Sequence, residues 1–413
     1  MTEPGLSIAR AHRPGVSAEV DLALGCLGDP ADRQALSAAL EREIDWQILV
    51  QFCLDHAITE PVFAALSRLR DGAVPEEVLS AAARRLERRR AEARSAQQQL
   101  LDILRLLEAR GIPALPFKGP ALAELLYGDA AMRSYRDLDF LVPLEHAGAT
   151  LTALVASRYQ RPHTLSAAQD AAFLAYAGED ILFPERQEAL PIEPHWAFAP
   201  HTLAVDLDYA AIWRRTGIAS LLGTPVRALA PEDLLIALCI HGGKEEWIRL
   251  QWICDIAELM RAYPGMEWGW VLNQASRLGG QRMLALGLVL ATDLIGTTLP
   301  QAVWDRVEAG SVVQSLAAQV SVHLFSEADH PPRGVDMLAF SLKIRARLWD
   351  RVQYAVHLAR QATNRARWLL PLPAFFSLLY YLLRPIWLIG KYGLAFCTTL
   401  SNRPSDPGRT TKL

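Results

Sequence analysis

Only five cysteines occur in 413 residues, and no two form a Cys-x-x-Cys pair. An odd, scattered set argues against both a disulfide framework and a zinc ribbon, and it points to a reducing cytoplasm. Excess charge is also missing. The net charge is -3, so nothing calls for a polyanionic partner. No P-loop, Gly-x-Gly-x-x-Gly turn or Ser-His-Asp elbow is present, and Gly242-Gly243 lacks the context of a phosphate loop. Residues 1–15 are polar and are not read as a secretory signal. Long apolar runs are scarce. Residues 368–383 are uncharged but contain Pro371 and Pro373, and Arg384-Pro385 interrupts them before residues 386–396 resume around Lys391. The clean run falls short of the ~20 residues of a spanning helix. Residues 368–396 are read first as a buried or partner-covered helix pair. A helix on the membrane surface is the second reading and a true span the third. The expected location is cytoplasmic, with membrane association left open.

What is present is a globular composition, 51% hydrophobic and 21% charged, with ample material for a core. Residues 17–110 read as helical. The stretch 75–110 is rich in Ala, Leu, Glu, Arg and Gln and is closed by Gly111 and Pro113. Its arginines (Arg84, Arg85, Arg88, Arg89, Arg90 and Arg94) are interleaved with Glu87 and Glu92 and read as a solvated face. The character changes at Gly111. Strands are expected at 112–117, 137–142, 180–184, 190–196 and 224–229, with helices at 119–127 and 144–157. From Pro231 onward the pattern is helical again, opened by Glu232 and Asp233. The predicted fold class is α+β and mostly helical, with a small mixed sheet flanked by helices. Three parts are expected: an N-terminal helical region (1–110), an α/β unit (111–230) and a C-terminal helical domain (231–413).

The chemistry concentrates in the α/β unit. Asp137 and Asp139 are two apart in an otherwise apolar run, Leu138, Phe140, Leu141 and Val142. On a strand they share a face, with Cα atoms roughly 7 Å apart. Two such carboxylates repel one another, and a shared divalent cation is the natural compensation. Upstream, Lys118-Gly119 follows one predicted strand and opens a helix, whose N-terminal amides attract anions. Gly119 permits close approach of a phosphate and Lys118 adds a positive charge. An ordinary strand-to-helix turn with an exposed lysine is the bland alternative. Arg133 is the best further candidate for a phosphate contact, while Arg136 should point to the opposite face.

These residues resemble a known family. Lys118-Gly-Pro-Ala-Leu122, Leu126-Tyr-Gly-Asp129, Met132-Arg133 and Arg136-Asp-Leu-Asp-Phe-Leu-Val142 are similar, in order and spacing, to an uncharacterised bacterial nucleotidyltransferase family of the polymerase-beta-like superfamily, in a Lys-Gly variant. Fainter similarity continues at Glu193-Pro-His195-Trp196 and at His241, Lys244, Trp247, Arg249, Trp252 and Asp255. The resemblance implies a small mixed sheet with Asp137 and Asp139 as paired Mg2+ ligands. It also implies a third carboxylate from a neighbouring strand, at Glu193, where the family more often has Asp. Pro194 cannot donate to a ladder, so that strand must lie at an edge or end there. His195 shares a face with Glu193.

His241 and Lys244 are neighbours on one predicted helix. With Arg249, Asp255 and the tryptophans they either close over a nucleotide, a tryptophan stacking on the base, or form an ion-pair network packing two helices. The expectation is a Mg2+-dependent, two-metal nucleotidyltransferase that uses a nucleoside triphosphate such as ATP. Asp137, Asp139 and Glu193 would form its catalytic and metal-binding set. Lys118, Gly119, Arg133, His195, His241 and Lys244 would bind the nucleotide. The acceptor (small molecule, saccharide, peptide or RNA) is left open. The alternative is a catalytically degenerate nucleotide-binding scaffold in a biosynthetic or membrane-associated assembly.

Overall fold

The computed structural model describes residues 16–28, 36, 39–69, 72–198, 207–308, 310–325 and 334–356. Residues 1–351 make up one compact unit and 352–413 a second, of which only the helical residues 352–356 are described. The apolar stretch 368–396 and most of residues 29–38, within the stretch read as helical, lie outside the described residues. Among the described residues no helix is long and apolar enough to cross a membrane.

The first unit is mostly helical with small sheets, the α+β class expected. Helices Ala18–Leu27, Trp46–Asp55 and Thr59–Leu66 precede a 33-residue helix, Glu76–Glu108. Its buried residues Ala93, Ala96, Gln97, Leu100, Ile103 and Leu107 recur at the spacing of one helical stripe. Gly111, at φ +70°, then reverses the chain, and the Ile112 amide bonds back to the Leu107 carbonyl at 3.0 Å. The arginine-rich half is divided. Arg84, Arg88, Arg90 and Arg94 are exposed, as read, whereas Arg85 Nε meets the buried Glu60 at 2.9 Å, and the exposed Arg90 still reaches Asp129 with its Nε at 3.1 Å. A face read as solvated therefore ties the N-terminal helices to the α/β unit.

The central sheet has the order β1 (Leu115–Pro116), β2 (Leu138–Leu141), β5 (Ile192–His195), and β3 (Tyr159–Gln160) pairs antiparallel with β4 (Phe183–Pro184) in a separate two-stranded sheet. β1 runs antiparallel to β2, and β2 runs parallel to β5. Between β1 and β2 lies helix Gly119–Tyr127, with bounds as expected from Pro120 at its start and Gly128, at φ +69°, at its end. Alternation along β2 sorts its residues between two cores. Leu138, Phe140 and Val142 pack with Leu100, Leu107 and Leu154, while Leu141 joins the larger core of the flanking helices. Asp139 shares the Leu141 face.

Ile192 exchanges backbone hydrogen bonds with Leu182, and the Asp180 amide donates to the Pro194 carbonyl. The proline's missing N–H thus faces segment 178–182 and not β2, so pairing on that side stays at two isolated bridges, Glu179 with His195 and Leu182 with Ile192.

A hairpin, β6 (Gly217–Leu221) with β7 (Thr224–Ala228), adds a strand that the sequence pattern had not indicated. Its two-residue turn is Leu222-Gly223, both at positive φ, and leucine is not a turn signal. Helices Pro231–Lys244, Leu250–Ala262, Trp268–Arg277 and Gln281–Leu290 follow. Gly242 has a packing role. A Cβ there would lie 2.5 Å from the Trp247 ring, and one at Gly287 would lie 3.0 Å from it. The glycines form the slot that holds Trp247, which is fully buried.

Candidate active site

Strand register assembles the site. Asp139 is paired with Glu193 across the parallel β2–β5 ladder, and His195 follows Glu193 on the same face. The isolated bridge places Glu179 beside His195 on the far side. The opposite faces of β2 and β5 are bound into the core by Leu138, Phe140 and Ile192, so the polar residues cannot exchange faces without exposing apolar ones.

The side chains converge. His195 Nε2 lies 3.0 Å from Asp139 Oδ1 and 3.8 Å from Glu193 Oε2, while its Nδ1 lies 3.0 Å from Glu179 Oε2. Lys118 Nζ stands 3.6 Å from Asp139 Oδ1 and over the Phe117 ring. Lys244 Nζ stands 3.8 Å from the other Glu179 oxygen. Phe117 meets the His195 ring edge-on at 5.0 Å. Asp137 sits just before β2, half-buried beside Asp139.

The electrostatics divide the carboxylates. Burial, reinforced by Asp139 and Asp137, raises Glu193 to about 7. Burial and then Asp139 raise Asp137 to about 6, against the pull of Lys118. For Asp139 burial acts upward, but Lys118 and His195 together outweigh it and hold the group well below the usual carboxylate range. Glu179 is likewise opposed by burial, yet His195 and Lys244 draw it down to about 2. Burial would lower His195, and contact with Asp139 and Glu179 instead raises it to about 9.

The remaining expected residues are placed as follows. Gly119 has φ +57°, and a Cβ there would lie 3.3 Å from the Asp137 carbonyl oxygen. The Lys118–Gly119 turn therefore lies directly against the backbone of the acidic strand. Arg133, expected at phosphate, is instead buried, with Nε 3.0 Å from both Asp255 oxygens and NH2 2.9 Å from Oδ2. Its donors are occupied by a carboxylate. His241 packs edge-on against Trp252 at 5.2 Å, and burial, then Lys118 and Lys244, push it far below its usual value. Trp247 is core, so no base can stack on it. Sequence reading missed Glu179. The available signal was the register of the two runs expected at 180–184 and 190–196, which, extended outward, sets Glu179 opposite His195.

The donor chemistry suits a divalent cation. Ligand-type atoms of Asp139, Glu193 and His195 all lie within 4.8 Å of one another. Atoms bound at about 2.0–2.2 Å around one ion are separated by roughly 3–4.4 Å, which matches this spacing with little movement.

A pH-dependent stability follows from the raised groups. Asp137, Glu193 and His195 hold their protons more tightly folded than unfolded. Their stabilisation is complete below their ordinary values of 3.8, 4.5 and 6.5 and is lost as pH rises through about 6, 7 and 9. Asp139 and Glu179 act oppositely, losing stabilisation only as pH falls below the ordinary carboxylate range. In scanning calorimetry the metal-free protein should melt at falling temperature between about pH 5.5 and 8.5. Divalent cations should restore more at the alkaline end, because binding competes with protons. A larger cation effect in acid would refute the assignment.

A family model described as "Uncharacterised nucleotidyltransferase" matches residues 42–296, well over half the chain. The match spans the sheet, the Lys118–Gly119 turn and the helices that carry His241 and Asp255. No curated protein gives a match.

Proposed function

We propose, from the premise that the chain belongs to this nucleotidyltransferase family, that it transfers a nucleoside monophosphate from a nucleoside triphosphate to a hydroxyl acceptor and releases pyrophosphate. The observation that carries this reading is the pairing of Asp139 with Glu193 on adjacent strands, with Asp137 and Lys118 beside them. Asp137, Asp139 and Glu193 are the groups that would hold Mg2+. Bound there, the cation supplies neutralising charge at the phosphates, where charge builds up during transfer.

The chain's own groups do the rest. Lys118 lies within a side chain's swing of Asp139 and pairs with triphosphate once that carboxylate is engaged. The amides at the start of helix Gly119–Tyr127 face the same anion. Without a cation, burial and mutual repulsion raise Asp137 and Glu193 to about 6 and 7, the repulsion that a bound divalent cation would relieve. Lys244 adds positive charge on the Glu179 side of the site. A small molecule, saccharide, peptide or RNA can each offer such a hydroxyl.

The test uses two labels. Purified protein, Mg2+ and a cell extract are incubated with nucleoside triphosphate labelled at either the α- or the γ-phosphate. Label should reach the acceptor from the α-phosphate alone, with pyrophosphate appearing in equal amount. Transfer of the γ-phosphate would mean kinase chemistry. Nucleotide binding that needs no metal and gives no turnover would mean a scaffold.

A further inference from the structure

We propose that the cation site includes histidine: Asp139, Glu193 and Nε2 of His195 ligate one ion, with Glu179 as the positioning carboxylate behind the imidazole, and the site therefore takes a transition-metal ion, for which Mn2+ is the spectroscopic probe, in preference to Mg2+. This rests on the nucleotidyl-transfer reading of the same site and deepens it by changing the ligand set and the preferred metal.

Three observations support it. First, the two carboxylates converge on the same ring nitrogen. Asp139 Oδ1 and Glu193 Oε2 lie 3.0 and 3.8 Å from Nε2. A histidine serving only to clamp Asp139 needs one of these contacts and not the other. Second, the ring is fixed from behind. Glu179 Oε2 stands 3.0 Å from Nδ1, and the other Glu179 oxygen is held toward Lys244 Nζ at 3.8 Å. A carboxylate on the non-ligating nitrogen is the usual device for setting a metal-binding histidine's tautomer and orientation. Here the Glu179 charge lies against Nδ1, the nitrogen on which it favours a proton, and leaves Nε2 for the ion. Third, the ring has no freedom to turn away. His195 is 2% exposed, and Phe117 packs against it edge-on.

On binding, the ion replaces the Nε2 proton, which passes to water, while the Nδ1 proton stays toward Glu179. Mg2+ favours all-oxygen surroundings and keeps several waters, whereas imidazole suits transition metals, so this donor set discriminates against Mg2+.

The full-length protein is loaded with one equivalent of Mn2+ and examined by pulsed electron paramagnetic resonance. Modulation from a directly bound 14N nucleus is expected in the unaltered protein, a readout that depends on no variant folding. In competition titrations His195→Gln should weaken Mn2+ binding by about 10–100-fold and Mg2+ binding far less, with Glu179→Gln weakening Mn2+ to a similar degree. Tightly bound Mn2+ without nitrogen modulation overturns the proposal, as does failure of Mn2+ to bind or an unchanged Mn2+ affinity in His195→Gln. These outcomes are separable from failure of the transfer reading. Nitrogen-coupled Mn2+ in a protein that moves no α-phosphate would sink the enzyme and keep the site. Robust transfer with an all-oxygen ion would do the reverse.

Discussion

Asp139→Asn should reduce nucleotidyl transfer by at least about 10³-fold while leaving the protein folded. Asparagine keeps the shape and one oxygen that can still accept from His195 Nε2, now 3.0 Å from Oδ1. It loses the negative charge, the property a cation needs. Asp139 also touches two of the local cations, Lys118 at 3.6 Å and His195 at 3.0 Å. Losing several kcal/mol of charge stabilisation in the transition state corresponds to this fall, at ~1.4 kcal/mol per tenfold. The measurement is the initial rate of α-phosphate transfer, beside circular dichroism and thermal melting. Melting should fall by several degrees with the protein still folded, because Lys118 and His195 stabilise this charge by more than burial opposes it. The cation-dependent rise in melting temperature should disappear. Full transfer by folded Asp139→Asn protein would remove the aspartate from the chemistry.

That prediction rests on a part of the molecule that was legible from residues alone. Asp137 and Asp139 stood out because local spacing dictates strand faces and Leu138 and Phe140 mark which face is apolar, whereas Glu193 and His195 were indicated by the family resemblance. Helix Gly119–Tyr127 was equally readable, since Pro120 and Gly128 are local stop and start signals. What escaped is non-local. Glu179 joins the site through a bridge with His195, which shows only when the register of the two neighbouring runs is carried past their ends. Trp247, one of the tryptophans that could have stacked on a base in the nucleotide-closing alternative, lies in a slot made by glycines at 242 and 287, one of them forty residues away in a different helix. Arg133 had the right type and position for a phosphate contact. Its partner is 122 residues further on, in helix Leu250–Ala262, and long-range pairing of this kind leaves no mark in local sequence.

Arg133→Met should therefore act on stability, costing about 3–5 kcal/mol. Asp255 is 1% exposed and receives Arg133 Nε and NH2 at 2.9–3.0 Å. Tyr127 donates its hydroxyl to the same carboxylate at 3.1 Å, and one neutral donor cannot replace a guanidinium around a buried charge. Around the pair the chain is pinned twice more. The Ser134 amide donates to Gln251 Oε1 at 3.2 Å, and Gln251 Nε2 donates to the Ser134 carbonyl at 2.9 Å. This segment leads directly into Asp137 and Asp139, so Arg133 positions the acidic strand through the helix behind it. For a unit of this size the loss corresponds to a fall in melting temperature of roughly 4–7 °C. Replacing the partner as well, in Arg133→Met with Asp255→Leu, should recover much of it, because a buried pair replaced by apolar groups loses its desolvation cost together with its attraction. A phosphate-binding arginine behaves differently: its loss raises KM for the triphosphate at unchanged melting temperature, and altering Asp255 rescues nothing. Melting curves of the single and double variants, set beside KM at a temperature where both are folded, decide between an arginine that holds the substrate and one that holds the strand.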